Sequence, residues 1–115
     1  MKIDQMLDMS QVTKVLKLLS DKTRLTIVKL LENQSFCVCE FVEIFSMSQP
    51  SISQHLRKLR DAGLIQEERK GQWMFYSLNK ESESYDFLLS ILEKLPSQEE
   101  KFIELEKKGT RINCC

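Results

Sequence analysis

Residues 46–63 read SMSQPSISQHLRKLRDAG, and this stretch decides the fold. Ser48 stands where a helix N-cap belongs. Pro50 falls in the first turn, where its missing N–H removes no hydrogen bond. Ile52, Leu56 and Leu59 recur at three- and four-residue steps and form a buried stripe. Gly63, after Ala62, supplies the stop. That stripe leaves Gln49, Ser51, Gln54, Arg57 and Lys58 facing outward, with His55 at the margin. Side chains of these types bond base edges and phosphates in a major groove. The short Ser48, Ser51 and Ser53 let the helix approach closely, and its free N-terminal N–H groups suit a phosphate. Taken alone, such a face also fits an ordinary solvated helix, so its neighbours decide.

Upstream, Val38 to Phe45 reads as a short helix with Phe41, Val42 and Phe45 on one face. A short helix, a turn and a second helix make the helix-turn-helix unit. Downstream, Leu64–Arg69 and Trp73–Leu78 are strand-like, joined by Lys70-Gly71-Gln72. This hairpin is a wing, whose tip residues Arg69, Lys70 and Gln72 can reach adjacent phosphates or the minor groove. Trp73, Phe75 and Tyr76 pack the wing. At the start of the chain, Ile3, Met6, Leu7, Val12, Val15, Leu16 and Leu19 predict an amphipathic helix over 3–19. Asp21 then caps a second helix, apolar on most sides and therefore central. A fifth helix runs from about Ser82 to Pro96. Ser97 and Glu100 have capping-box spacing, predicting a last polar helix over 98–108. The expected architecture is mainly α with a β-hairpin: a winged helix-turn-helix, α-α-α-α-β-β-α. Residues 1–95 form the domain and 96–115 a polar tail. The apolar stripes of the first and fifth helices exceed what one 115-residue chain covers. They predict a homodimer packed through Met6, Leu7, Leu88 and Leu92.

The charge pattern fits a nucleic-acid partner better than the net charge does. The 115 residues carry 17 basic and 17 acidic side chains. Residues 47–80 nevertheless hold six basic and three acidic groups, while residues 81–115 hold five basic and eight acidic. A basic segment between a neutral and an acidic one points to a phosphate-facing surface. No apolar run approaches the roughly 20 residues of a membrane helix, so no membrane partner is expected. The opening MKIDQMLDMS lacks the apolar core of a secretory signal. A cytoplasmic location is the expectation.

Four cysteines occur as two pairs, Cys37-Val38-Cys39 and Cys114-Cys115. In a cytoplasmic chain such pairs favour metal or redox chemistry over structural disulfides. Within a regular helix, residues two apart diverge by about 200°, but at the frayed start of the third helix the thiols can converge. A helix N-terminus also lowers a thiol pKa, favouring the thiolate that binds soft ions. Core packing does not explain Cys114-Cys115 at the end of a polar tail. A ligand arm, a redox pair or a lipid anchor remain. Rab-type GTPases end in such a pair, but the phosphate-binding glycine-rich loop of a GTPase is absent here. Thiolates without an obvious His or carboxylate partner suit As(III), Sb(III), Cd(II), Pb(II), Bi(III) or Cu(I), and exclude Mg(II) and Ca(II).

The chain resembles the ArsR/SmtB family of metal-sensing repressors over about residues 10–95. Three segments carry the resemblance: LLSDKTRL at 18–25, FCVCEF at 36–41 and SQPSISQHLRKL at 48–59. Ala62-Gly63-Leu64-Ile65 and the wing complete it. It implies a homodimer, paired through the first and fifth helices, that represses an operon until an ion binds. The chain departs from the family in its ligands. Where one arsenic-responsive type places a third Cys on the same helix, this chain has Val42. Residues 1–36 contain no Cys, and His55 is the only His. The metal ligands expected are therefore Cys37 and Cys39, with the third drawn from Cys114 or Cys115 of either subunit. The reading is a repressor released from an inverted-repeat operator by As(III) or Sb(III), with no organic cofactor. Alternatives are a Cd(II), Pb(II), Cu(I) or thiol-redox sensor of the same fold, or a small thiol enzyme or metallochaperone.

Overall fold

The computed structural model of the chain describes residues 6–107. Helix α1 (Met9–Leu19) is followed by α2 (Lys22–Leu30), strand β1 (Phe36–Cys37), α3 (Val38–Phe45) and α4 (Gln49–Asp61). Strands β2 (Ile65–Lys70) and β3 (Trp73–Leu78) form the wing, and α5 (Tyr85–Leu92) and α6 (Glu99–Lys107) complete the order. The winged helix-turn-helix is therefore the fold. No helix among the described residues is long and apolar enough to cross a membrane.

Local capping explains most element boundaries. Helix α1 starts at Met9 rather than at residue 3, because Asp8 and Gln11 close a capping box with bonds of 2.8 and 2.9 Å. Met6 and Leu7 therefore precede the helix, and Ile3 lies outside the described residues. Asp21 caps α2 by accepting from the Arg24 N–H at 2.9 Å. Ser46 ends α3 in the left-handed region at φ 53°, and Ser48 opens α4. Gly63, at φ +81°, lets Leu64 N–H reach Leu59 O at 3.0 Å and its own N–H reach Arg60 O at 2.9 Å. Those two bonds satisfy the last carbonyls of α4. The wing turn is tighter than the sequence suggests. Lys70 pairs with Trp73, leaving only Gly71 and Gln72 between them. Gly71 takes φ +68° at the first turn position, which a glycine tolerates. Helix α5 starts at Tyr85, three residues later than expected, behind turns at Ser82–Ser84.

One element is absent from the sequence expectation. Phe36 and Cys37 form β1, antiparallel to β3 with Phe36 opposite Tyr76 and Cys37 opposite Phe75. The sheet order is β1-β3-β2. Two residues are too few to show alternation, so the pattern gave no sign of it. The core sits between these layers. Ile27, Val28, Phe41, Ile52, Leu59 and Leu92 are fully buried, and Phe36 stacks on Phe41 with ring centroids 5.3 Å apart. At about 1.5–3 kcal/mol for each large apolar side chain removed from water, this cluster holds α4 against α2 and α3.

Candidate nucleic-acid interface and thiol pair

Helix α4 presents Gln49, Gln54, Arg57 and Lys58 to solvent, while Ile52, Leu56 and Leu59 face the core. Ser48 is occupied as the cap: its hydroxyl accepts from the Ser51 N–H at 3.3 Å and donates to the Ser51 hydroxyl at 3.0 Å. Ser51 and Ser53 are half-buried. Arg69, Lys70 and Gln72 stand exposed at the wing tip, with the Lys70 ammonium 5.6 Å from the Phe75 ring centroid. Arg60, which periodicity does not single out, bridges Asp61 at 3.3 Å and Glu67 at 3.2 Å, tying the end of α4 to the wing base.

His55 is half-buried. Its Nδ1 lies 3.2 Å from the Arg24 guanidinium and 3.9 Å from the Asp21 carboxylate. The Arg24 Nε donates to Leu18 O at 2.7 Å, fixing the group from behind. His55 thus stands at the margin of the outward face, already engaged by Arg24. It packs α4 onto the start of α2, and burial pushes its pKa below the ordinary 6.5, against the opposing pull of Asp21. Asp21 itself is held below the usual carboxylate value, chiefly by the Arg24 N–H it accepts. The spacing of Asp21 and Arg24 is visible in the sequence, but their meeting with His55 is a tertiary fact.

The thiol pair sits where β1 becomes α3. Cys37 is both the last strand residue and the helix N-cap, with extended φ −97° and ψ 166°. That bend brings the Cys37 and Cys39 Sγ atoms to 3.1 Å. Glu40, fully buried, closes a capping box with Cys37. The Cys37 N–H donates to the Glu40 carboxylate at 2.8 Å, and the Cys37 sulfur faces the Glu40 N–H. The C-x-x-E spacing at 37–40 carried this signal, with Cys in the place of Ser or Thr. The expected lowering of the thiol pKa is reversed at Cys37. Burial pushes it above its ordinary value, the Glu40 N–H opposes this, and the Glu40 carboxylate adds to the rise. Helix α6 packs against α3, and residues 108–115, including Cys114 and Cys115, lie outside the described residues. Among the described residues no cluster of three or more His, Cys, Asp or Glu is placed to hold a metal ion.

The four residues expected at a dimer contact divide. Met6 is 87% exposed and Leu7 half-buried. Leu88 and Leu92 are 1% and 0% exposed within a single protomer, so they have no surface left for a partner. Among the described residues the exposed large apolar side chains are Met6, Met9 and Leu16 in and before α1, the last two 82% and 48% exposed, and Ile103 of α6, 46% exposed.

Comparison with known proteins fits this geometry. Residues 21–67 match the family described as bacterial regulatory protein, arsR family. The arsenical resistance operon repressor of Escherichia coli (strain K12) is 36% identical over 99 residues, covering 85% of this chain and 84% of that one. The chain belongs to the ArsR family. The arsenic resistance transcriptional regulator ArsR1 of Pseudomonas putida is 44% identical over 68 residues, 58% of this chain and 53% of its own length. Among solved structures, reduced HlyU from Vibrio cholerae superposes with a TM-score of 0.66 at 28% identity, covering 75% of this chain and 85% of that one. A homodimeric winged helix-turn-helix DNA-binding domain from Mycobacterium bovis gives 0.62 at 27% identity, covering 74% and 79%. As an ArsR-family member the chain is a DNA-binding transcriptional regulator and not an enzyme.

Proposed function

We propose that this ArsR-family chain is a homodimeric repressor released from its operator when As(III) or Sb(III) binds Cys37 and Cys39. The observation that carries the reading is the 3.1 Å separation of their sulfurs at the start of α3. Thiolate–metal bonds of about 2.3 Å allow both to reach one soft ion. The same sulfur that would bind the ion faces the Glu40 N–H and caps α3. Capture would therefore open the capping box, and α3 leads through the Ser46 turn directly into α4. By linkage, operator DNA weakens ion binding by the factor through which the ion weakens DNA binding.

The third sulfur ligand is assigned to Cys114 or Cys115. Helix α6 packs on α3 and is described as far as Lys107. Cys114 follows Lys107 by seven positions, a reach of up to about 25 Å. Dimer contacts are assigned to the start of the chain and α1, through Met6, Leu7, Met9 and Leu16. The operator is then an inverted repeat with half-sites about one helical turn apart, contacted by Gln49, Gln54, Arg57 and Lys58 of each α4 and by the wing tips.

The test is a gel shift on the promoter of the operon, titrated separately with As(III), Cd(II), Zn(II) and Cu(I). Release by As(III) at the lowest concentration supports the reading. Release only by another ion, or only by peroxide with reversal by dithiothreitol, transfers it to that signal. In X-ray absorption, the Cys114→Ser/Cys115→Ser double variant should show fewer sulfur ligands per As(III). An unchanged count of three would remove the tail from the site.

A further inference from the structure

We propose that Lys14 and Lys17 of α1 join Lys58 of α4 in a second phosphate-contacting surface, extending the DNA footprint beyond the reading helix and wing. The proposal rests on the DNA-binding reading of α4. A depression of about 430 Å³ lies between α1 and α4, lined by Lys14, Lys17, Arg24, Lys58 and Asp61 among others. Lys14 and Lys17 are three residues apart, so they share one face of α1. All three lysines are exposed, and no ion pair involves any of them among the described residues. Arg24 forms a fixed, half-buried part of the wall, held through Leu18 O and His55. The single carboxylate, Asp61, already contacts Arg60 at 3.3 Å.

Lys14, Lys17 and Lys58 have no ion-pair partner among the described residues, while Arg24 has Asp21 beside it; the three lysines repel one another, and a polyanion relieves that repulsion. The depression is open and shallow, and its lysines are flexible point charges without the planar fork that selects one bidentate anion. Such a surface fits a run of backbone phosphates. Lys58 and Arg57 are both exposed on α4, so the depression borders the helix that carries the proposed reading face. It contributes affinity without sequence preference, because phosphates carry no base identity.

The experiment uses the full chain and two duplexes of about three helical turns, one selected by the protein from a random pool and one unselected. Binding is followed by fluorescence anisotropy across a salt series. For the Lys14→Gln/Lys17→Gln variant, the slope of log K against log salt should fall by about 0.9 for each phosphate no longer neutralised. Affinity should drop by the same factor on both duplexes, and Lys14→Arg/Lys17→Arg should restore it. Lys94→Gln, just past α5, controls for net charge and should leave the slope unchanged. A double-Gln slope equal to that of the wild type or of Lys94→Gln overturns the proposal while leaving the α4 reading intact. Absence of wild-type binding to either duplex removes the α4 reading, and this surface with it.

Discussion

Replacing Cys37 separates the two roles the structure assigns to one sulfur. As N-cap of α3, Cys37 faces the Glu40 N–H while its own N–H binds the Glu40 carboxylate at 2.8 Å. As half of the thiol pair, it lies 3.1 Å from Cys39. Ser keeps a capping oxygen and loses the soft donor, whereas Ala loses both. An N-cap contributes about 0.5–2 kcal/mol, and sulfur, a weak acceptor, belongs near the middle or lower end. Taking about 1 kcal/mol per protomer, opening both caps of a dimer weakens DNA binding by about 2 kcal/mol, or roughly 30-fold. That falls inside the usual range of allosteric coupling, about 1–3 kcal/mol. Wild type should therefore lose operator affinity about 30-fold on saturation with As(III). Cys37→Ser should bind DNA like wild type and respond less than about 2-fold. Cys37→Ala should bind DNA weakly even without an ion, because the missing cap imitates the induced state. It should also melt roughly 4–8 °C below Cys37→Ser, from the cap and the smaller buried side chain together. Anisotropy titrations and calorimetry at one fixed protomer concentration measure both quantities. If the Ser and Ala variants melt together and bind the operator equally, the capping box does not couple the sites and the reasoning fails.

Four further outcomes follow from named residues. Gln54→Ala and Arg57→Ala should each cost about 1–3 kcal/mol of operator binding with melting unchanged, since both side chains are exposed; unaltered affinity would remove that face from the interface. Leu92→Asp should abolish folding, seen as a collapse of helical circular dichroism, because the side chain is fully buried. Met9→Glu/Leu16→Glu should stay folded but scatter light as a monomer, and a persistent dimer would move the contact elsewhere. For pH, the His55 pKa lies below 6.5 in the folded chain, so the native state binds fewer protons than the unfolded one around that value. Stability from this residue is complete above about 6.5 and declines as pH falls toward the folded pKa. A His55→Gln variant should show a flatter denaturation profile as pH falls below about 6.5; an unchanged profile would detach the acid sensitivity from His55.

Helix α4 is legible in the sequence because local chemistry fixes both of its ends and its inner face. Ile52, Leu56 and Leu59 mark the inner face of α4, Ser48 starts it and Gly63 stops it, all within one short stretch. Strand β1 is not legible, since two residues carry no period and their pairing with Phe75 and Tyr76 spans almost forty positions. The start of α1 is misplaced by periodicity because apolar spacing extends through Met6 and Leu7, while the Asp8–Gln11 box decides where the helix begins. His55 and Leu92 show the same limit. A helical wheel places His55 at a margin, and only the packing of α2 against α4 turns it toward Arg24 and Asp21. Periodicity shows that Leu88 and Leu92 are buried, but not whether their own chain or a partner covers them. The thiol pair is half legible: the cysteines are in the sequence, but the pKa rise at Cys37 comes from a burial that local spacing does not reveal.

The strand that the sequence hid also widens what the thiol pair can control. Strand β3 is the middle of the sheet, with β1 on one side and the wing strand β2 on the other. Cys37 is bonded into that ladder opposite Phe75, and Phe75 lies opposite Glu68 of β2. One residue thus belongs to the thiol pair, to the cap of α3 and to the sheet that aims the wing. On the proposed reading, displacing its sulfur would act on α4 through α3 and on the wing tip through β3. Sheet register does not slide smoothly, because a one-residue slip exchanges the faces of every side chain. Phe36, fully buried beside Cys37 and stacked on Phe41, makes such a slip costlier still. A change at Cys37 is therefore either absorbed by the α3 cap or breaks the short β1 pairing outright. Both alternatives are discrete, as a switch between DNA-bound and released states requires.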